Sequence, residues 1–250
     1  MWQYRELIRA LTVVDLKNRY QNTSLGFFWS LLSPLMLTGV MYFIFRNIFQ
    51  AEENFAINLL VGMLAWRFFA NGTTNSLFAI IGKASLVTKV YVPRQILVWS
   101  NVLANLISSL LEFLVLVPLL LILMRGLPVT LLLFPLIHFL YFWFLLGAAF
   151  LLSALHVYFR DLGQIWEVLI FALFFCSPIV YPISFVPDHL MTYYMLNPVT
   201  QFIGMYRQVM IAGELPLLSS IIGVIALGAA SYVVGGLVFA RLQRRFAELI

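Results

Sequence analysis

The chain has 250 residues, of which 63% are hydrophobic and 10% charged, with a formal net charge of +5. With a mean hydropathy of +0.98, it holds more apolar residues than a soluble core and surface can use, which excludes a soluble enzyme and implies a polytopic membrane protein. Its single cysteine, Cys176, excludes an intrachain disulfide or a multi-cysteine metal site and reads as a small apolar residue packed in a helix. Each span needs roughly 20 residues, so the length accommodates about five to seven spans in one membrane domain and no soluble catalytic domain.

The first 26 residues mix both charges and do not read as a secretory signal. Tyr4, Leu7, Ile8, Leu11 and Val14 recur at helical spacing, with Arg5, Glu6, Arg9 and Lys17 on the other side. That pattern fits an amphipathic interfacial helix and equally a solvated helix packed on the membrane domain. Asp15 and Arg19 are spaced i, i+4 and could pair.

Six apolar segments follow, near Phe27 to Phe45, Ala56 to Ile81, Ile96 to Met124, Thr130 to Val157, Gly163 to Tyr181 and Leu217 to Ala240. The third and fourth exceed what a bilayer demands, so tilt, projection or a kink at Pro118 is expected. Lys and Arg favour the cytoplasmic flanks. One side collects Arg5, Arg9, Lys17, Arg19, Lys83, Lys89, Arg94, Arg160, Arg241, Arg244 and Arg245, whereas the other has Arg46, Arg125 and Arg207. Both termini are therefore expected in the cytoplasm. Topology then explains most of the positive charge, and no nucleic-acid partner is needed.

Between the second and third segments, "SLVTKVYVPRQ" (Ser85 to Gln95) combines Lys89 and Arg94 with Leu86, Val87, Val90, Tyr91 and Val92. The cations alone could be a topology signal. The apolar residues suggest a contact face for soluble machinery as well. Nucleotide binding by this loop is excluded: Gly82-Lys83-Ala84-Ser85 resembles the end of a phosphate-binding loop, but that motif requires Gly at 77 and Ser or Thr at 84, where the chain has Leu77 and Ala84. Any energy from ATP must come from another subunit.

Between the fifth and sixth segments lie Pro178, Pro182, Pro187, Pro198 and Pro216 among many aromatic and aliphatic residues. This composition suggests a re-entrant hairpin, which membranes tolerate where protein surrounds the backbone. A surface-hugging loop anchored by Tyr193, Tyr194 and Tyr206 is the alternative. Arg67 and Glu112 lie well inside apolar runs and call for partners, each being available to the other, while Glu167 sits near a span end and can snorkel. His138 and His156 have no carboxylate at ligand spacing, and no catalytic constellation can be assembled. An ion-coupled carrier or membrane glycosyltransferase would show clustered intramembrane acids, an inverted repeat or an acidic metal motif, and the sequence shows none of these.

Several motifs in order carry a resemblance: "DLKNRYQNTSLGFFWSLLSPLM" (Asp15 to Met36), "LVTKVYVPRQI" (Leu86 to Ile96), "YFRDLGQIW" (Tyr158 to Trp166), "SPIVYP" (Ser177 to Pro182) and "LNPVTQFI" (Leu196 to Ile203). Over almost its whole length the chain resembles the type-2 ABC transporter permeases. Within them it is most similar to the subgroup that exports O-antigen polysaccharides, teichoic acids and related polymers. The resemblance implies an all-α membrane protein with six transmembrane helices, an N-terminal amphipathic interfacial helix (1–26), a six-helix membrane region (27–240) with re-entrant helices between the fifth and sixth spans, and a cytoplasmic tail (241–250). It also implies a homodimer in the bacterial inner membrane with two separate ATPase subunits. ATP and Mg would be bound by those subunits, with no cofactor in this chain. The substrate would be an O-antigen or similar glycan carried on undecaprenyl diphosphate, moved by a permease that is not itself an enzyme; teichoic acid export, or a permease of the same fold for a drug or small lipid, is the alternative.

By that resemblance, the N-terminal helix and the segment carrying Lys83, Lys89, Tyr91 and Arg94 contact the ATPase, and the Arg160-Asp161 turn forms a second cytoplasmic connection. The first and fifth spans would line a channel between protomers, where Phe27, Trp29, Tyr42, Phe171, Phe174, Phe175 and Tyr181 could stack on sugar rings. Arg5, Arg9, Lys17 and Arg19 are suited in charge to receive the lipid pyrophosphate at the entrance. The first outer loop, Arg46 to Phe55, is short for a periplasmic gate.

Overall fold

The computed structural model describes residues 2–21, 26, 28–49, 54–89, 92–124 and 126–249. The predicted site residues Phe27 and Tyr91 lie outside them. Among the described residues every regular element is helical: α1 (Arg5–Tyr20), α2 (Phe28–Phe49), α3 (Phe55–Leu77), α4 (Ala84–Lys89), α5 (Gln95–Met124), α6 (Phe134–Tyr158), α7 (Leu162–Phe175), α8 (Asp188–Leu196), α9 (Pro198–Arg207), α10 (Leu218–Leu242) and α11 (Phe246–Leu249). Among the described residues, four helical stretches are long and apolar enough to cross a membrane, Phe55–Leu77, Gln95–Met124, Val129–Tyr158 and Leu218–Leu249. Phe28–Ile44 and Leu162–Phe175 are shorter apolar helices.

Helix α3 is the centre of the bundle, touching α2, α5, α6, α7 and α9. From Leu59 to Ala65 every residue is buried, so the 3.6-residue alternation of a one-faced helix is lost, as expected of a helix surrounded by protein. Around it, α6 and α10 make the closest helix pair. A Cβ added at Gly147 would strike the Ser231 carbonyl, and one at Gly235 would strike the Gly147 oxygen. Small residues thus bring the two backbones into contact, and the Ser231 hydroxyl donates to Phe144 O at 2.9 Å. An aromatic layer caps this core, with Tyr141 stacked on Phe202 (4.1 Å between centroids) and His138 Nδ1 2.6 Å from the Tyr206 hydroxyl.

Helices α2 and α7 are peripheral. Phe28, Phe43, Val168 and Phe171 are all about 70% exposed, and α7 buries none of its residues. The predicted fifth segment, Gly163 to Tyr181, is longer than the helix it forms, because α7 ends at Phe175. Pro178 disfavours helical geometry at Ser177, whose hydroxyl turns back to Leu173 O at 2.8 Å. At 14 residues α7 is about 21 Å long, short of a bilayer core of about 30 Å. Helix α5, by contrast, continues through Pro118 for 30 residues, or about 45 Å.

The N-terminal helix lies against the bundle. Contacts pair Thr12 with Ser100, Arg19 with Asn105 and Tyr20 with Ser108, so α1 runs alongside the first half of α5 in the same direction. Its packed side carries Tyr4, Leu7, Ile8 and Leu11 together with Thr12, Asp15 and Arg19, while Arg5, Glu6, Arg9 and Lys17 face outward. Val13 and Val14 are 42% and 48% exposed, which departs from the expectation that Val14 shares an inward apolar face.

Candidate functional site: a cation-lined polar cavity

A cavity of about 330 Å³ opens where α1, α2, α3 and α5 meet. Its charged groups are Arg19, Arg67 and Glu112. Arg67, the cation whose partner the sequence left open, approaches Glu112, with Nη2 3.5 Å from Oε1, and its Nη1 lies 3.4 Å from the Ser33 hydroxyl. Both contacts are long for a guanidinium, which normally reaches a carboxylate at about 2.7–2.9 Å.

Arg19 enters from α1. Its Nη1 donates to Asn105 Oδ1 at 3.3 Å, and the Asn105 amide donates to Phe68 O at 2.8 Å, so one relay links three helices. Gly72 leaves room for this relay, since a Cβ there would sit 2.6 Å from Asn105 Nδ2. Burial holds the Arg19 pKa below its ordinary value, opposed by the nearby Tyr20 and Asp15. The cavity continues into a second one of about 420 Å³, which shares Arg19 and Asn75 with it and runs beside α1 to Lys83. Asn71 and Asn75 on α3 face the path, as do Asn101 and Asn105 on α5, each pair one helical turn apart.

The expected Asp15–Arg19 pair does not form. Asp15 Oδ2 instead accepts from Lys83 Nζ at 2.7 Å and lies 3.3 Å from the Ser100 hydroxyl. Asp15 faces α5 and the turn at Ile81–Lys83, so a long-range partner replaces the local one. Lys83 is therefore tied internally, with 18% of its side chain exposed.

The opposite end of α3 holds a cation differently. Arg207, at the end of α9, donates to Pro178 O at 2.7 Å, to Ile179 O at 3.0 Å and twice to Asn58 O at 3.1 and 3.2 Å. Gly62 makes space for it, since a Cβ there would sit 2.9 Å from Nη2. Asn197 caps α9 by accepting from Val199 N at 3.0 Å and donates to the Ser177 hydroxyl at 2.9 Å. The Pro-rich segment is thereby folded onto α3. Sequence reasoning counted Arg207 only as a topology charge; its place after the Asn197-Pro198 helix start was the available signal.

The remaining predicted residues scatter. Trp29 lines the cavity and is 46% exposed, whereas Tyr42 lines an apolar cleft of about 180 Å³ between α2, α3 and α5. Phe171 and Phe175 are exposed on α7, and Phe174 turns edge-on to Trp66 at 5.7 Å. The Tyr181 hydroxyl donates to Phe175 O at 2.6 Å and meets Tyr194 Oη at 2.9 Å. Arg5 pairs with Glu6 at 3.4 Å, while Arg9 and Lys17 are exposed on α1, away from the cavity that Arg19 enters.

In the predicted docking segment, Val87 is buried and Leu86 packs on the core, so these apolar residues turn inward rather than forming an outer contact face. Ser85, Thr88 and Lys89 are the exposed residues of α4. Arg94 donates to Gln243 O, and Arg160 donates to Leu249 O at 3.3 Å, so both hold the C-terminal segment. Among the described residues, no group of three His, Cys, Asp or Glu could hold a metal ion.

The ABC-2 type transporter family matches residues 6–211, most of the chain. The chain belongs to that family. Over 252 residues it is 31% identical to the O-antigen export system permease protein RfbA of Klebsiella pneumoniae, covering 98% of this chain and 95% of the relative. It is 30% identical over 257 residues to the protein of the same name from Myxococcus xanthus, covering 100% of this chain and 97% of that relative. A more distant relative, the capsule polysaccharide export inner-membrane protein CtrC of Neisseria meningitidis, is 22% identical and covers 81% of this chain and 78% of its own. The side chains differ along α3: ion pairs and amides line its second half, and carbonyl-bound Arg207 with aromatic packing lies against its first.

Proposed function

We propose that this chain is the permease subunit of an ATP-driven exporter that moves undecaprenyl-diphosphate-linked polysaccharide, of the O-antigen type, across the bacterial inner membrane. The observation that carries this reading is the end-to-end match to two O-antigen export permeases at 31% and 30% identity. O-antigen is favoured over capsule because the capsule export relative falls to 22% and covers less of the chain.

In this reading the permease has six spans, with α2 and α7 as the first and fifth, and both termini in the cytoplasm. Two copies pair and two separate subunits bind ATP and Mg. The exposed apolar faces of α2 and α7 suit a protomer that meets a second copy or lipid there. The folded Pro-rich segment suits a re-entrant hairpin, because protein rather than lipid surrounds α9: Val199, Phe202, Ile203 and Tyr206 are buried. Exposed Lys89 on α4 is the cation available to the ATPase, while Lys83 and Arg94 hold the loop in place.

The test is genetic and biochemical. Deleting the reading frame should abolish surface polysaccharide and trap lipid-linked glycan on the cytoplasmic face, and the intact chain should restore export. Undiminished surface polymer in the deletion strain would reject the reading. Co-purification with the neighbouring ATPase, followed by measuring which lipid-linked glycans stimulate hydrolysis, identifies the polymer.

A further inference from the structure

We infer that the cavity between α1, α2, α3 and α5 is a binding site within a single protomer for the phosphate-bearing sugar end of the glycan. This rests on the polysaccharide-export reading and adds to it a location inside one protomer, beside Trp29, Ser30 and Ser33 of α2. Three observations carry it.

First, the charges do not cancel: among the described lining residues Arg19 and Arg67 contribute +2 and Glu112 contributes −1, leaving +1 in a half-open cavity. Second, the cations are incompletely satisfied. Arg19 Nη2, Arg67 Nε and the Ser109 hydroxyl are buried, and none of them meets a hydrogen-bond partner among the described residues. Buried polar groups are normally paired, and an unpaired one marks a place where a partner is missing. Two guanidinium N–H groups and a hydroxyl around one cavity are matched by an oxyanion with several oxygens, such as a phosphate or diphosphate. A carboxylate offers fewer oxygens for donors on two separate helices. Third, the rest of the wall suits a sugar. Asn71, Asn75 and Ser108 present hydroxyl-compatible donors and acceptors, and Trp29 offers an aromatic face. At about 330 Å³ the cavity lies at the lower end of the range for small-molecule sites, about 300–1,000 Å³.

Glu112 acts in this arrangement as a competitor. It holds Arg67 at 3.5 Å, a contact that a phosphate oxygen replaces with a shorter one. Removing its charge should therefore tighten binding, opposite in sign to removing either guanidinium.

The experiment uses the full-length permease assembled with its ATPase, in nanodiscs. The probes are a short-chain polyprenyl diphosphate bearing one hexose, the same polyprenyl chain ending in a hydroxyl, and soluble hexose 1-phosphate. Wild type should bind the first and not the second. Competition by hexose 1-phosphate would show that the head group alone is recognised, whereas its failure to compete would assign the site to the lipid-linked form. Arg19→Met should weaken binding of the sugar diphosphate by about ten- to a hundredfold, the size of one charge-assisted hydrogen bond. Because Arg67→Met leaves Glu112 unpaired and could unfold the chain, the paired variant Arg67→Met/Glu112→Gln carries that arm and should show the same loss. Glu112→Gln alone should bind severalfold more tightly.

Binding within twofold of wild type in both Arg19→Met and the paired variant overturns the inference, as does equal binding of the alcohol. In either case a strain dependent on this chain for surface polymer would leave the export reading standing. Loss of that dependence would remove the export reading itself.

Discussion

The two halves of α3 hold half-buried cations to opposite purposes. At the first, Arg207 spends its guanidinium on carbonyl oxygens at 2.7–3.2 Å. At the second, Arg67 and Arg19 make contacts of 3.3–3.5 Å and each keeps one buried nitrogen without a partner among the described residues. A saturated cation is mortar: it fixes the Pro-rich segment and has nothing left to offer. An unsaturated one is a receptor, and the same side chain in the same bundle differs only in how many acceptors the fold supplies. The lesson is to count acceptors before assigning a buried arginine to binding.

The sharpest way to break the comparison is Arg207→Met. It would leave the carbonyls of Asn58, Pro178 and Ile179 without their donor, and at about 1–3 kcal/mol per stranded group should cost about 3 kcal/mol or more. The loss would be read as a large fall in melting temperature or in yield of folded permease. Next comes Gly72→Ala, whose Cβ meets the Asn105 amide and the Leu145 side chain. Overpacking of this kind costs about 1–3 kcal/mol, and here it should also disturb the Arg19 relay, so melting temperature and glycan-stimulated ATPase should fall together. The paired removal of charge, Arg67→Met/Glu112→Gln, should cost about 1 kcal/mol or less, because a loosely held ion pair gives back little more than its desolvation. A fall as large as that for Arg207→Met would erase the distinction between mortar and receptor. Smallest in stability is Lys89→Glu, which should leave the melting temperature unchanged while weakening ATPase docking or coupling. Normal export in that variant would reduce the exposed face of α4 to a topology signal.

The coarse architecture was legible because membrane spans announce themselves by length and hydropathy. The available Arg67–Glu112 pair was legible for a related reason: charge inside an apolar run is costly enough to demand a partner. What was not legible depended on rotation and long-range register. Asp15 was read with Arg19 by local spacing, but α1 presents Asp15 to Lys83 and Ser100, a contact between residues 68 positions apart. Leu86 and Val87 looked like a docking face because nothing in sequence tells which side of a six-residue helix meets the core. The amide path was written at i, i+4 in "NGTTN" (71–75) and "NVLAN" (101–105), yet each pair alone is ordinary; only their confrontation across α3 and α5 makes a surface. The short α7 was hidden because hydropathy continues past Phe175, while the turn at Ser177 and Pro178 is set by backbone geometry.

Helix α3 supplies Arg67, Asn71 and Asn75 to the cavity and Asn58 and Gly62 to the Arg207 staple. It is packed along its length, Thr73, Ser76 and Leu77 near its end being as buried as Leu59 and Val61 near its start. A rod gripped by close packing passes a push along its axis instead of bending, so a displacement at the cavity is carried toward Leu77. The turn at Ile81–Lys83 and then α4 lie at that tip. An occupant pulling Arg67 away from Glu112 would thus be reported where a partner on the exposed face of α4 can feel it.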